Sequence, residues 1–524
     1  MDFTPSNILL LSLVEAAVSF YFFPHIFNKK CSSIVLSCLC CGSRHSLVLP
    51  QTYHIPLLPQ AASSSSTSSE RLLPTDRPWM ILFKRPPGEA FLNMLKQPEN
   101  DGLTHFHGFL HADRLLLASP AALADVLVHR SYDFEKPPWS RNFLRKFLGD
   151  GLLMTEGDEH RHQRKQIMPA FSFRHIKELY PVFWAESIEL CEVVKRELWE
   201  QPDKVLDIGH FSTMVTLDII GLAGLGRDIS SLRNNNDVLI ENYKGFVSRV
   251  TPPIPTMGHG ALPSKLNERV KVTTGNLKRI CGEFGANKKS RMKMESEEGK
   301  DILSIMIRSN NFSDDGLVDQ LLTFLAAGYM TYSRIISTLR KFKPACAQKF
   351  TTTSPDRKAL SDPDFDVATL LESLPYPNAV CNEVLRLFPS IPVSARLASR
   401  DTTVCGHFIP KGTLLHVVPW ATNRDPALWG SDSEKFVPER WIDGSGRCTM
   451  NGGADSNYSF LTFLHGPRNC IGERFARAEM RALVAAFVGE FKMRMADPEE
   501  KVRPGGRITS KPIDGIRLKL EPVA

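Results

Sequence analysis

The chain has 524 residues, 42% of them apolar, and a net charge of +7. That length exceeds one ordinary core and implies a large domain with attachments, or two lobes. The positive excess is too mild and too scattered to indicate a nucleic-acid partner, but it suits an anionic membrane surface or an acidic protein. Eleven cysteines at unrelated spacings do not make a small secreted framework, so a reducing compartment is expected.

From the amino end, "ILLLSLVEAAVSFYFF" runs from Ile8 to Phe23 with Glu15 as its single charge, and it extends to Phe27. At about 1.5 Å per helical residue this reaches roughly the 30 Å of a bilayer core. Asp2 precedes the run, while Lys29 and Lys30 follow it. Positive charge on the carboxyl side predicts a retained single-pass anchor over residues 1–30, with the rest of the chain cytosolic. A buried helix is the other reading. Residues 31–75 read as a linker. They include "CLCC" (Cys38, Cys40, Cys41), which suits apolar filler or lipidation better than metal, because no second His or Cys pair follows at finger spacing. They also include the solvated serine tract Gln60–Glu70.

The folded body is expected over 76–524. "RLLLASPAALADVLVHRSYDF" reads as a strand, a Pro turn and an amphipathic helix. Helical periodicity dominates beyond it, with strand-like pieces at "GFLHADRLLLAS" and "VCGHFIPKGTLLHVVPWA". In "VDQLLTFLAAGYMTYSRIISTLRKFKP", Val318, Leu321, Leu322, Leu325, Tyr329, Tyr332, Ile336 and Leu339 repeat at helical spacing. In "NEVLRLFPSIPVSARLASRD", Glu383 and Arg386 lie one turn apart on a helix that must end before Pro389, so they can pair. "FVPERW", with Glu439, Arg440 and Trp441, reads alone as a loop. In "FLTFLHGPRNCIGERFARAEMR", Gly466, Pro467 and Gly472 bracket Cys470 just ahead of an amphipathic helix, whose dipole would lower the thiol's pKa. Taken alone, the segment leaves Cys470 open between packing and ligation.

Phe463, Gly466, Arg468, Cys470 and Gly472 match F-x-x-G-x-R-x-C-x-G, Glu383 and Arg386 match E-x-x-R, and "FVPERW" matches a P-E-R-F-like segment, all in order. In this the chain resembles the cytochrome P450 superfamily, of the microsomal eukaryotic type and fungal in style. The resemblance implies a mainly α fold, with a large helical domain and a smaller β-containing lobe. It implies haem b held by the Cys470 thiolate, whose electron donation favours O–O cleavage. It also implies glycines that let the backbone approach the sulfur and porphyrin, Phe463 shielding the sulfur, and an ion network of Glu383, Arg386 and Arg440 behind the haem. Arg468, Arg396 and, from "EGDEHRHQRKQIMPAFS", His160 and Arg164 are the implied partners of the haem propionates. Metal ligation by His160 and His162 fails, because i and i+2 face different sides of a helix.

The match breaks in the distal helix, where A/G-G-x-D/E-T-T/S is expected. Met330 stands at the acid, Thr331 keeps the first alcohol, and Tyr332 replaces the second. Two readings are open. One is a genuine departure, giving a poorly coupled oxygenase, an isomerase-type haem-thiolate enzyme or a haem protein without turnover. The other is a local reading-frame or splice error over about Tyr329 to Lys343. No G-x-G-x-x-G follows a strand and no P-loop is present, so the chain has no evident nucleotide site of its own. The resemblance therefore implies electrons from NADPH through a separate membrane-bound reductase, with cytochrome b5 as a further donor. It also implies residence at the endoplasmic reticulum membrane, and insertion of one oxygen atom from O₂ into a lipophilic small molecule of secondary or xenobiotic metabolism. Pro138–Phe147, Val247–Gly260 and Ser390–Ser394 are the expected pocket segments, apolar and Pro-rich.

Overall fold

The computed structural model describes residues 86–96, 102–108, 112–234, 264–294, 299–331 and 365–523, apart from 87, 202, 498, 501–502, 506–508 and 513–514. The expected anchor, linker cysteines and serine tract lie outside these residues, as do Val247–Gly260 and everything from Tyr332 to Asp364.

The described helices are α1 (Glu89–Leu95), α2 (Pro120–Ala124), α3 (Pro138–Leu148), α4 (Gly157–Ile167), α5 (Phe173–Glu200), α6 (Ile208–Ile219), α7 (Ser264–Met294), α8 (Ile302–Ser309), α9 (Asp314–Thr331), α10 (Val367–Ser373), α11 (Pro375–Leu387), α12 (Pro419–Thr422), α13 (Pro426–Trp429) and α14 (Glu473–Glu490). The predicted turn at Ser119–Pro120 is built as read. Ser119 Oγ accepts from the Ala122 amide, Pro120 takes the first turn where its missing N–H costs nothing, and the helix runs on as a π-turn through His129.

The β lobe is a five-stranded sheet in which β1 (Leu103–His107) is an edge. It pairs antiparallel with β2 (Asp113–Leu117), which runs parallel to β8 (Leu414–Val417); β5 (Ser394–Ala398) and β3 (Phe134–Glu135) complete the order β1-β2-β8-β5-β3. Small hairpins and ribbons use β4 (Val205–Asp207), β6 (Thr402–Val404), β7 (His407–Ile409), β9 (Phe491–Met495), β10 (Pro504–Gly505), β11 (Lys511–Pro512) and β12 (Arg517–Pro522). The alternation of strand side chains splits the lobe's apolar residues into two layers. Leu103, Leu115 and Leu117 pack with Leu123 and Leu127, while Phe106 and Leu116 pack with Phe91 and Leu92 of α1.

The helical domain is centred on α5 and α14. Phe183 and Phe475 meet edge to face at 4.9 Å, and Arg481 reaches the Tyr180 hydroxyl at 3.2 Å. Burial pushes the Tyr180 phenol far up, against the pull of Arg481, so it stays a neutral hydrogen-bonding group. Ile208–Leu225 is long and apolar enough to cross a membrane, with mean hydropathy 1.4, but 72% of it is buried in this core. Core packing accounts for its apolarity, and it is not the N-terminal segment predicted as the anchor.

The Asp319–Gly328 stretch forms the body of α9. Asp319 accepts from the Asp150 amide at 2.7 Å, and Gln320 accepts from the Leu152 amide at 3.0 Å while donating to Gln163 at 2.8 Å. A Cβ at Gly151 would meet the Asp319 carbonyl at 2.7 Å, so this crossing needs a glycine.

Candidate active site

The three sequence segments converge. On α11, Glu383 and Arg386 share a face and neither side chain is exposed to solvent. Arg386 grips Glu383 in bidentate fashion at 2.7 and 2.8 Å. Its remaining donors reach the carbonyls of Asn423 (2.6 Å), Ser433 (2.5 Å) and Lys435 (3.0 Å). Glu383 also accepts from Arg440 Nε at 3.2 Å, the Val437 amide at 2.8 Å and Trp441 Nε1 at 2.9 Å. Burial pushes the Glu383 carboxyl up, but the hydrogen bond and charge of Arg386 outweigh it, and the net shift is downward. "FVPERW" is thus a short 3₁₀ turn, Pro438–Trp441, pinned to α11 rather than a free loop.

Asn423, which the sequence did not single out, ties this network to the cysteine loop. Its amide donates to the Arg386 carbonyl and to Thr462 Oγ1, each at 2.9 Å, and its oxygen accepts from the Leu461 amide at 2.8 Å. The loop then folds on itself, with the Cys470 amide donating to the Phe463 carbonyl at 2.9 Å and the Asn469 amide to Gly466 at 3.1 Å. Gly466 has φ +78°, and a Cβ there would overlap the Leu127 carbonyl. Its glycine is thus demanded by the protein backbone, not only by a ligand. Gly472, the N-cap of α14, is the reverse case: a Cβ would meet nothing nearer than Phe171 at 3.9 Å. Phe463 is buried, with the Arg477 guanidinium 5.1 Å from its ring centre.

Cys470 is exposed by surface area, although it lies at the foot of α14 amid packed residues. Surrounding protein atoms push its thiol up to about 11 through desolvation, only partly offset by the Gly472 amide. The direction is opposite to the expected lowering, because desolvation outweighs the Gly472 amide and the charge of Arg164. A thiol both accessible and poorly hydrated is one that faces an internal space. On α9, Ala327 is also exposed, although the six residues before it are all buried. The side chains of Tyr329, Met330 and Thr331 fall outside the described set, though the helix includes all three positions.

Beside the loop lies a second charge cluster. Arg468 donates to the carbonyls of Ser131 (3.2 Å) and Phe134 and pairs with Glu156, but among the described residues its buried Nε has no partner. Arg396, on β5, is buried and donates to Ser394 Oγ (3.1 Å) and the Ala395 carbonyl (2.9 Å). Arg164 of α4 holds the Asn469 carbonyl at 2.7 Å and the Asn469 side chain. Lys136 touches Glu156 at 3.5 Å. His160 lies 3.3 Å from the Tyr132 hydroxyl.

These cations depress one another. Desolvation, with the charges of Arg468 and Arg396, pushes Lys136 down to about 7 despite Glu156. Desolvation and the charge of Arg468 bring Arg396 to about 10. Desolvation, then Lys136, Arg468, Arg164 and Arg396, bring His160 to about 3. Lys136 and Glu156 were both missed by the sequence reading; no local pattern marks them, and Glu156 meets its arginine across 312 positions.

A planar cofactor with two carboxylates fits this arrangement. The exposed thiol offers a soft metal ligand, the open side of Gly472 leaves room for a flat face, and the cation cluster lacks the negative charge two carboxylates would bring.

Comparison with known proteins agrees. The cytochrome P450 family model matches residues 106–519. Similar curated proteins are cytochrome P450 monooxygenase sphH of Aspergillus fumigatus, 37% identical over 86% of this chain and 87% of that one, and cytochrome P450 monooxygenase ptmK of Penicillium ochrochloron, 36% identical over 84% and 89%. A third, cytochrome P450 monooxygenase FUM15 of Gibberella moniliformis, is 31% identical over 91% and 90%.

Proposed function

From the premise that this chain belongs to the cytochrome P450 family and is an oxidoreductase of its fungal monooxygenase branch, we propose that it inserts one oxygen atom from O₂ into a lipophilic small molecule of secondary metabolism. Electrons come from NADPH through a separate reductase, with cytochrome b5 as a second donor, and the chain is held at the endoplasmic reticulum membrane by residues 1–30. The observation that carries the reading is the pairing of an accessible, poorly hydrated Cys470 thiol with a buried cation cluster short of negative charge.

Haem bound here supplies the O₂-activating metal centre. The chain's own residues do the rest. Cys470 would hold the haem iron as a thiolate, the metal offsetting the desolvation that raises the thiol's pKa. Arg468 turns its unpartnered Nε, and Arg396 its spare donors, toward the carboxylates; Lys136 and neutral His160 add shorter-range donors. Arg164 fixes the loop through Asn469 and so sets where the sulfur sits. Glu383, Arg386 and Arg440 hold the frame behind it. Thr331 would supply a hydroxyl for proton delivery, in a helix that carries Met330 where the family's pattern has an acid. The isomerase-type and impaired readings are not favoured by the relatives' names.

The experiment is a product profile by mass spectrometry from membranes carrying the chain with a reductase, against Cys470→Ala. Mono-oxygenated products that need NADPH and O₂ and vanish in the variant are expected. A product that forms without O₂ overturns the reading.

A further inference from the structure

We infer that the β1–β2 hairpin carries a binding site for one divalent transition-metal ion, made by His105, His107 and Asp113, away from the cysteine loop. His105 and His107 are two apart on β1 and so project from one face, and Asp113 stands opposite His107 in the register. On that face the strand grades from buried Leu103 through His105, 11% exposed, to His107, 45% exposed, so the three polar side chains lie where the apolar layer ends. Asp113 Oδ1 is 2.8 Å from His105 Nε2 and 3.2 Å from His107 Nδ1, and all three donor atoms fit within 4.8 Å of one another. The two rings stand at 86°, so they converge on the carboxylate rather than stack.

The separations, 2.8 and 3.2 Å to the carboxylate and at most 4.8 Å between the ring nitrogens, lie close to those of a coordination shell. Donors about 2.0–2.2 Å from a tetrahedral zinc lie roughly 3.4 Å apart, so no large movement is required. Two imidazoles and one carboxylate suit Zn²⁺, Cu²⁺ or Ni²⁺ over Mg²⁺ or Ca²⁺. The more exposed side, at His107, leaves a fourth position for water. A metal here would clip edge strand β1 to β2, on the face opposite α1. Nothing in the proposed oxygenation uses these residues.

The test is titration of untagged, haem-loaded full chain with Zn²⁺ after chelator treatment, followed by calorimetry, and with Co²⁺ followed by visible absorption. Both are repeated on His107→Ala and Asp113→Asn, whose side chains are partly exposed, with folding checked by circular dichroism and the haem spectrum. One tight equivalent per chain is expected in the native protein, weakened by ~100-fold or more in each folded variant, since even outer-shell partners are worth ~10–100-fold. Zn²⁺ should also raise the melting temperature of the native protein alone. No tight equivalent in the native chain, or equal binding in all three proteins, overturns the inference.

Discussion

Two buried arginine clusters flank the cysteine loop, and they differ in how their charge is closed. Around Glu383 every donor of Arg386 has an acceptor and both carboxylate oxygens are shared among Arg386, Arg440, Trp441 and the Val437 amide. Around Arg468, that arginine and Lys136 both pair with Glu156 and Arg396 lies within reach of its charge, one arginine nitrogen has no partner among the described residues, and the lysine is driven to about 7. The closed cluster is a frame complete in itself, whereas the open one is what we propose as half of the haem site. The two should therefore respond to mutation in opposite ways, depending on whether the cofactor is present.

The largest effect is expected from Glu383→Ala, which strands Arg386 and should cost about 3–5 kcal/mol in the haem-free and haem-loaded chain alike, read by chemical denaturation. A variant that loses haem but keeps the haem-free stability would move Glu383 into the other class. Arg396→Met should behave conversely. The haem-free protein melts at the same temperature or higher, because a mutually repelling buried cation is gone, while haem is lost to a scavenger globin ~10-fold faster. Equal melting losses with and without haem would break the contrast.

Lys136 sharpens it through pH. Its folded pKa is about 7 against an ordinary 10.5. Below pH 7 it is protonated in both states and the full cost of burying the charge is present. Between about 7 and 10.5 the unfolded chain binds more protons, so haem-free stability rises with pH across that window. Lys136→Met should flatten the rise, measured by urea denaturation of the haem-free chain; an unchanged slope would remove Lys136 from the cluster. The smallest effect is expected at the rim of the closed network. Asp432, 3.1 Å from Arg440 and 41% exposed, should cost under about 1 kcal/mol as Asp432→Asn, seen in the same denaturation measurement.

The frame was legible in the sequence because its residues are close neighbours with helical or motif spacing: Glu383 and Arg386 one turn apart, Phe463 through Gly472 in one loop. That α9 is a helix was legible from its periodic apolar residues, whereas its crossing with Asp150–Leu152 was not. What was missed has no local signature. Asn423 acts mostly through backbone carbonyls and amides, which any sequence could supply. Glu156 and Lys136 join the arginines only after chain closure over hundreds of residues. His105, His107 and Asp113 gain meaning from cross-strand register, which was read only as a strand-like piece. The thiol pKa was misread because the helix terminus is visible in sequence and desolvation is not.

The account rests centrally on the proposal that Cys470 would hold the haem iron. The reduced protein with carbon monoxide measures this directly: the native chain should give the red-shifted Soret band of a thiolate-ligated haem, and Cys470→His the shorter-wavelength band of a histidine-ligated one. A histidine-type band from the native chain, or a thiolate-type band that survives replacement of Cys470, would contradict it.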